Sequence, residues 1–217
     1  MKTQTIIGLL TVLLAVGVAR GSLYTETFSD VNTTIPNGNP VGVSFSQTVS
    51  DIPGGSTVGG LTVDLSVSGG YNGNLYAYLV APNGTLVMLL NQPGVSSGNS
   101  FGYGGSGLNI TLSDTASGSI QTTREAPGSV FSGTFQAAGT LGAVSGSAAD
   151  GTWTLYFADV AAGGGQPILN GWSLNITAVP EPANIALVIF GVSFIGIGAV
   201  RFYASGKTTL RSRQIIS

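Results

Sequence analysis

The 217-residue chain contains no histidine and no cysteine, and its two lysines, Lys2 and Lys207, lie near its ends. A serine protease needs a base that accepts the nucleophile's proton near neutral pH, either histidine or, in a substitute arrangement, lysine. Composition also excludes a cysteine nucleophile and a zinc site built from histidine and cysteine. The sequence therefore favours a protein that is not an enzyme.

Charged residues are few and mostly acidic. Between residues 22 and 179 there are eight acids and one base, Arg124, which gives a formal charge of −7. Nucleic acid is not expected as a partner, because its binding requires several cations that neutralise phosphates. A pair of carboxylates could still hydrolyse glycosides. Their spacing in the sequence does not indicate which two would form such a catalytic pair; the candidates are Asp64, Asp114, Glu125, Asp150 and Asp159.

The N-terminus has the features of an export signal. Met1 and Lys2 precede an apolar run at residues 6–18, and Ala19-Arg20-Gly21 places small residues at the two positions that signal peptidase reads. We expect residues 1–21 to be a signal peptide that is cleaved before Ser22, so that the remainder is exported. A retained membrane anchor is the alternative. Without cysteine, the exported chain has to be stable without disulfides.

The C-terminus contains a second apolar segment. Residues 183–200 carry one amide, Asn184, and no charge. At about 1.5 Å per residue a helix of this length measures roughly 27 Å, close to the hydrocarbon core of a bilayer at about 30 Å. Glu181 and Pro182 suit the start of such a helix. The tail at residues 201–217 is basic, which favours a cytoplasmic position, and its cations are Arg201, Lys207, Arg211 and Arg213.

The order of these parts resembles a bacterial sorting signal. Pro180-Glu181-Pro182, an apolar helix and an arginine-rich end together are similar to the PEP-CTERM signal. The resemblance implies that residues 180–217 are recognised and processed by an exosortase-type enzyme of a Gram-negative-type bacterium. The residues that would take part are Pro180, Glu181, Pro182, Arg201, Arg211 and Arg213. An ordinary C-terminal membrane anchor is the alternative.

Between the terminal segments, apolar and polar residues alternate. Leu61, Val63, Leu65 and Val67 occupy every second position, and the same period recurs at residues 75–79, 153–157 and 172–176. A period of two places each apolar set on one face of a strand, whereas a helix would scatter it. Further strands are predicted at residues 41–48, 86–91, 108–112 and 131–136. The sequence predicts an all-β fold, a β-sandwich or jelly roll.

Four ordered segments resemble the proprotein convertase P-domain, also called the P/Homo B domain. Residues 73–85, GNLYAYLVAPNGT, with residues 87–91, are similar to the central hairpin of that family. The last strands of that family resemble three further segments of this chain, which are FSGTF at 131–135, GTWTL at 151–155 with Asp159, and LNGWSL at 169–174. The resemblance implies a jelly-roll β-sandwich over residues 44–179, preceded by a lead-in and edge strand at 22–43. The chain has Asn74 where the family usually has Asp, and Gly69 where it often has His.

Two groups of side chains are candidate ligand sites. Tyr76, Tyr78 and Tyr156 alternate with apolar residues and should point away from the core, where they could stack on a polysaccharide. Cross-strand packing of the three rings is the alternative. Asp150 and Asp159 flank the predicted strand at 153–157 and could bind calcium, as loop carboxylates of exported β-domains do, or they could lie in solvated turns. Apart from calcium, no cofactor is expected.

One further segment, residues 92–107, is rich in glycine around Phe101 and Tyr103. It predicts a mobile loop, and a variable binding edge is the alternative.

These observations predict an exported, surface-associated protein with a structural or adhesive role, which lies within an exopolysaccharide matrix. Residues 183–200 would hold the precursor in the membrane until it is processed. Two alternatives remain open. One is a carbohydrate-binding module, and the other is a non-catalytic accessory domain of a separate subtilisin-like protease, since P-domains usually accompany such an enzyme.

Overall fold

The computed structural model of the chain describes residues 20–29 and 31–181. Nearly all of the predicted signal peptide, and the predicted sorting segment from Pro182 onward, lie outside the described residues. Within residues 20–29 and 31–181, no helix has the length and apolar character needed to cross a membrane.

The described residues form ten strands and two short 3₁₀ turns. The strands are β1 (Ser22–Phe28), β2 (Thr33–Thr34), β3 (Asn39–Val49), β4 (Ser56–Ser68), β5 (Leu75–Val80), β6 (Leu86–Asn91), β7 (Gly107–Leu112), β8 (Phe131–Phe135), β9 (Gly151–Asp159) and β10 (Ile168–Pro180). The 3₁₀ turns span Asn72–Asn74 and Leu141–Val144.

The strands form two sheets with a shared core. The larger sheet has the order β1-β10-β4-β7-β8, with β2 paired to β10, and the smaller has the order β3-β9-β5-β6. Neighbouring strands are antiparallel except β7 and β8, which are parallel. The all-β class and the β-sandwich are therefore confirmed, and the jelly-roll connectivity stays a prediction. The sandwich includes β1, which lies at the edge of the larger sheet.

The alternating pattern gives the strand faces correctly. Every second residue of β5, Leu75, Ala77 and Leu79, is fully buried, and the intervening tyrosines are only partly covered. Trp153 on β9 is completely buried, and Trp172 on β10 is 2% exposed. Burial of these apolar side chains is the main favourable contribution to folding, because no disulfide is present.

Several strands are longer than the sequence predicts, and β4 and β10 exceed their predicted bounds most. β10 runs over thirteen residues, and β4 begins at Ser56 instead of Leu61. The pairing of β10 with β4 changes register between Leu169 and Gly171 and between Thr177 and Ala178. At each irregularity the side chains that face the core shift by one position. The regular alternation of apolar and polar residues therefore stops there, although the strand continues.

Replacement of either buried tryptophan by alanine should destabilise the domain strongly. We expect Trp153→Ala and Trp172→Ala each to lower the free energy of unfolding by about 3 to 5 kcal/mol, because each leaves a cavity in the core. Phe101→Ala is the control, since that side chain is 77% exposed and should cost less than about 0.5 kcal/mol. Chemical denaturation followed by circular dichroism measures all three. A loss below about 1 kcal/mol for both tryptophans would contradict their place in the core.

Candidate functional site

The three predicted tyrosines form one cluster on the outer face of the smaller sheet. Tyr78 on β5 lies opposite Tyr156 on β9, and their rings stack with centroids 4.5 Å apart and an interplanar angle of 12°. Tyr76 stands edge-on to both rings, with centroids 6.2 Å away. The predicted outward direction is confirmed, and the observed arrangement is the cross-strand one.

Contacts within the cluster and with Pro40 already occupy ring faces and a hydroxyl that a ligand would otherwise use. The facing surfaces of Tyr78 and Tyr156 cover each other, and the Tyr156 hydroxyl donates to the carbonyl of Pro40. Burial raises the pKa of Tyr156, and the neighbouring hydroxyls of Tyr78 and Tyr76 raise it further. A role for these tyrosines in sugar stacking stays a prediction.

A groove that sequence reasoning missed lies beside the glycine-rich segment. It has a volume of about 620 Å³. We call it the glycine-loop groove, and the side chains that line it include Tyr71, Asn99, Tyr103, Arg124, Glu125 and Pro127. Two aromatic rings, a guanidinium, a carboxylate and an amide thus share one concave surface. The rings can stack on a sugar ring, and the guanidinium can donate hydrogen bonds to its hydroxyls.

Hydrogen bonds fold the glycine-rich segment into a defined loop. The Tyr103 backbone N–H donates to the Pro93 carbonyl at 2.9 Å, and the Tyr103 hydroxyl donates to the Thr122 carbonyl at 2.9 Å. The Asn99 amide donates to the carbonyls of Gly94 and Gly102. The sequence suggested a mobile loop because of its glycines, but glycine is also required here by close packing. A Cβ on Gly94 would lie 2.5 Å from the Tyr103 ring.

Glu125 is held at the groove by Asn72. The Asn72 amide donates to Glu125 Oε1 at 2.9 Å and to the Gly107 carbonyl at 3.0 Å. Glu125 Oε2 is buried and has no hydrogen-bond partner. Burial raises the pKa of Glu125, and the hydrogen bonds from Asn72 and the Gly105 backbone oppose that effect. The groove therefore contains a carboxylate that takes up a proton more readily than an exposed one.

Two of the acids considered for glycoside hydrolysis have structural roles. Asp64 accepts hydrogen bonds from Thr111 at 2.6 Å, from Ser173 at 2.7 Å and from Asn175 at 3.0 Å. Asp114 accepts the backbone N–H groups of Leu141 and Gly142, at the start of the second 3₁₀ turn. Both carboxylates are occupied in holding the fold together.

The two candidate calcium ligands do not come together. Asp150 immediately precedes β9 and Asp159 ends it, which places them roughly 30 Å apart along the chain at about 3.3 Å per residue. They cannot share one ion. Asp159 is completely buried, whereas Asp150 is partly exposed. Among residues 20–29 and 31–181, no three acidic side chains cluster in a way that could hold a metal.

The predicted sorting residues lie at and beyond the end of the last strand. Pro180 is the final residue of β10 and pairs with Ser56, and the Glu181 N–H donates to the Gly55 carbonyl at 3.3 Å. Outside the described residues are Pro182, the apolar stretch at 183–200, Arg201, Arg211 and Arg213. The sorting signal stays a prediction.

The two-sheet sandwich and its closing tryptophan strands define the class of this molecule as a β-sandwich domain. Residues 58–176, more than half of the chain, match the proprotein convertase P-domain. The chain therefore belongs to the proprotein convertase P-domain family, which confirms the resemblance carried by the hairpin and the closing segments.

Two solved structures are similar to this chain at low sequence identity. One is the complex of a serine protease from Aeromonas sobria with its chaperone, with 17% identity, a TM-score of 0.45, and coverage of 74% of this chain and 26% of that chain. The other is the serine protease of Aeromonas sobria, with 19% identity, a TM-score of 0.42, and coverage of 71% and 26%. The chain spans about a quarter of the length of these structures. A comparison with curated proteins gave no match.

Removal of the Glu125 charge should stabilise the domain increasingly as pH rises. Because the pKa of Glu125 is raised by folding, the folded state binds more protons than the unfolded state between the two pKa values. Stability present below the unfolded pKa, near 4.3, is lost as pH rises through the folded pKa.

We therefore expect Glu125→Gln to have a larger free energy of unfolding than the unmodified chain. The difference between the two should grow from about pH 4 to about pH 7. Chemical denaturation at several pH values measures this difference. A difference that stays constant or shrinks over the range would show that folding does not raise this pKa.

Proposed function

We propose that this protein is an exported, non-catalytic P-domain that binds polysaccharide at the bacterial surface and has a structural or adhesive role there. The observation that carries the proposal is the position of the glycine-loop groove relative to the two ends of the domain. The start of β1 and the end of β10 lie together at one side of the sandwich, and the groove lies at the opposite side.

The strand register supports this arrangement. Ser22 pairs with Ala178, so the beginning of β1 lies beside the end of β10. β10 runs from Ile168 to Pro180, a length of about 40 Å at 3.3 Å per residue. Ile168 pairs with Ser68, and Tyr71 of the groove follows three residues later. A domain attached through either end would present the groove away from its attachment.

The chemistry of the groove suits an uncharged or weakly charged glycan. Tyr71 and Tyr103 can stack on sugar rings, and the Arg124 guanidinium can donate hydrogen bonds to hydroxyl groups. The domain between residues 22 and 179 has a formal charge of −7, from eight acids and one base, which disfavours a polyanionic ligand. The chain has no histidine and no cysteine, so common nucleophile and base pairs cannot be formed.

We propose export through the N-terminal signal at residues 1–21 and sorting through residues 180–217. The apolar segment at 183–200 would hold the precursor in the membrane until an exosortase-type enzyme cleaves near Pro180–Pro182. This part of the proposal is supported by the order of motif, apolar stretch and basic tail in the sequence.

Glu181→Ala, or deletion of residues 201–217, should make the unprocessed precursor accumulate in the native host. Asp51→Ala is a matched control, because Asp51 is an exposed acid shortly before Ser56, the residue that pairs with Pro180. Mass spectrometry of cell fractions identifies the processed ends. Normal processing of both sorting variants would leave residues 183–200 as an ordinary membrane anchor.

Glycan binding should depend on the groove. The double variant Tyr71→Ala/Arg124→Ala should lose about tenfold in affinity for surface polysaccharide, equivalent to about 1.4 kcal/mol. The comparison variant is Tyr76→Ala/Tyr78→Ala, which removes two rings of the outward tyrosine cluster. Glycan arrays and affinity electrophoresis measure both variants, and circular dichroism checks their fold.

A loss restricted to the Tyr76/Tyr78 variant would assign binding to the tyrosine cluster, and no loss in either variant would contradict a glycan site on these two surfaces. The purified protein should also show no cleavage of unstructured peptide substrates.

A second candidate function follows from the family itself. The match over residues 58–176 to the proprotein convertase P-domain supports a role as a non-catalytic accessory domain of a separate subtilisin-like protease. Specific capture of such a protease from the native host, with no glycan binding, would favour this function over adhesion.

A further inference from the structure

The sequence contains four copies of the tripeptide that is the acceptor motif for N-linked glycosylation. The motif is asparagine, any residue except proline, and then serine or threonine, and it accepts a glycan where it lies on the surface of an exported protein. The copies are Asn32-Thr33-Thr34, Asn83-Gly84-Thr85, Asn109-Ile110-Thr111 and Asn175-Ile176-Thr177. Because all four end in threonine, the place of each asparagine in the fold decides whether a transferase can reach it.

Two of the four asparagines lie within paired strands of the larger sheet. Asn175 is on β10, and its amide donates to Asp64 at 3.0 Å and to Thr62 at 3.2 Å. Asn109 is on β7, which lies between β4 and β8. A transferase has to bind the acceptor segment in its own active site, so either motif would first have to leave the sheet. Central strands open only with most of the domain.

Asn83 is exposed at the hairpin turn between β5 and β6. Its side-chain oxygen accepts the Thr85 N–H at 3.0 Å, which is an Asx turn. The turn is closed by bonds from the Ala81 N–H to the Thr85 carbonyl at 2.9 Å and from the Gly84 N–H to the Ala81 carbonyl at 2.8 Å. The turn uses the amide oxygen, and the amide nitrogen, the atom to which a glycan is attached, is left for an incoming donor.

Asn32 is exposed in the connection between β1 and β2. Its φ is 40°, a left-handed conformation that asparagine adopts more readily than most residues. A groove of about 350 Å³ lies beside it, and the residues that line this groove include Thr27, Phe28 and Asn170. The first sugars of a glycan on Asn32 could lie in this groove without displacing a strand.

We propose that Asn32 and Asn83 carry N-linked glycans in the exported protein, and that Asn109 and Asn175 do not. The inference rests on the export part of the proposed function, because the motif is an acceptor in exported chains. The donor would be an oligosaccharide carried on a lipid pyrophosphate.

The transfer forms one bond and breaks one. The asparagine amide nitrogen bonds to the anomeric carbon of the first sugar, and the bond from that carbon to the pyrophosphate oxygen breaks. The lipid pyrophosphate leaves with the bonding electrons, and the amide gives one proton to a base of the transferase.

Mass spectrometry of the protein from the membrane and extracellular fractions of the native host tests the inference. Purification under denaturing conditions removes polysaccharide that is merely bound in the glycine-loop groove, so an increase in intact mass that remains is covalent. Elastase replaces trypsin, because Arg124 is the single base between residues 22 and 179. The digest should give glycopeptides that contain Asn32 or Asn83.

Substitution of the hydroxyl residue tests each motif without changing its asparagine. Thr34→Ala and Thr85→Ala should each remove one glycan, and Thr34→Ser and Thr85→Ser should keep it, since serine also completes the motif. Asn109→Gln is the matched control. It removes an exposed motif that lies in a paired strand, and it should leave the glycan mass unchanged.

Export is checked separately by the N-terminus of the purified chain, which should be Ser22. An exported chain with the mass of its sequence alone would overturn the glycans and leave export standing. An unmodified chain that keeps residues 1–21 inside the cell would overturn both.

The position of any glycan decides the assignment. A glycan on Asn109 or Asn175, or one that survives the alanine substitution in its own motif, would contradict it. Modification of only one of Asn32 and Asn83 would overturn the assignment of the other.

Discussion

The fold depends on the burial of two strands that come last in the domain. β9 lies between β3 and β5 in the smaller sheet, and β10 lies between β1 and β4 in the larger one. Each carries one of the two tryptophans, and each joins strands that are far apart in sequence. Before β9 and β10 are in place, β3 and β1 have no partner in their sheets. With no disulfide and few charges, cooperative burial across these central strands supplies the stability.

A single 3₁₀ turn, Asn72–Asn74, connects the glycine-loop groove with the loop that follows β9. The Asn72 side chain binds Glu125 and the Gly107 backbone at the groove, and two residues later the Asn74 side chain binds the loop beside Asp159. Between them Gly73 packs so closely that a Cβ would lie 2.2 Å from the Phe101 carbonyl. A change in the groove that moves this turn therefore also moves the loop that follows β9.

Sequence reasoning succeeded where a local rule decides the outcome. Alternation fixed which face of β5 is buried, and it correctly turned Tyr76 and Tyr78 outward, but their stacking with Tyr156 depends on the register between β5 and β9. The groove could not be predicted, since Tyr71, Asn99 and Arg124 come together only through loop conformations. Asp159 was singled out because it follows a strand, a position typical of a solvated turn. It is completely buried, and Gly38 and Asn74, which come from two distant loops, lie at its carboxylate.

The pairing of β1 with β10 also determines how the domain would respond to mechanical load. Ser22 and Ala178 are register partners, so a force that separates the two ends of the domain would open the hydrogen bonds between these strands one pair after another. A force between the Pro180 end and the groove acts along β10 instead. It loads the bonds between β10 and β4 together, because these bonds lie perpendicular to the strands. The sandwich should therefore resist a force between the groove and the Pro180 end more strongly than a force that pulls its two ends apart.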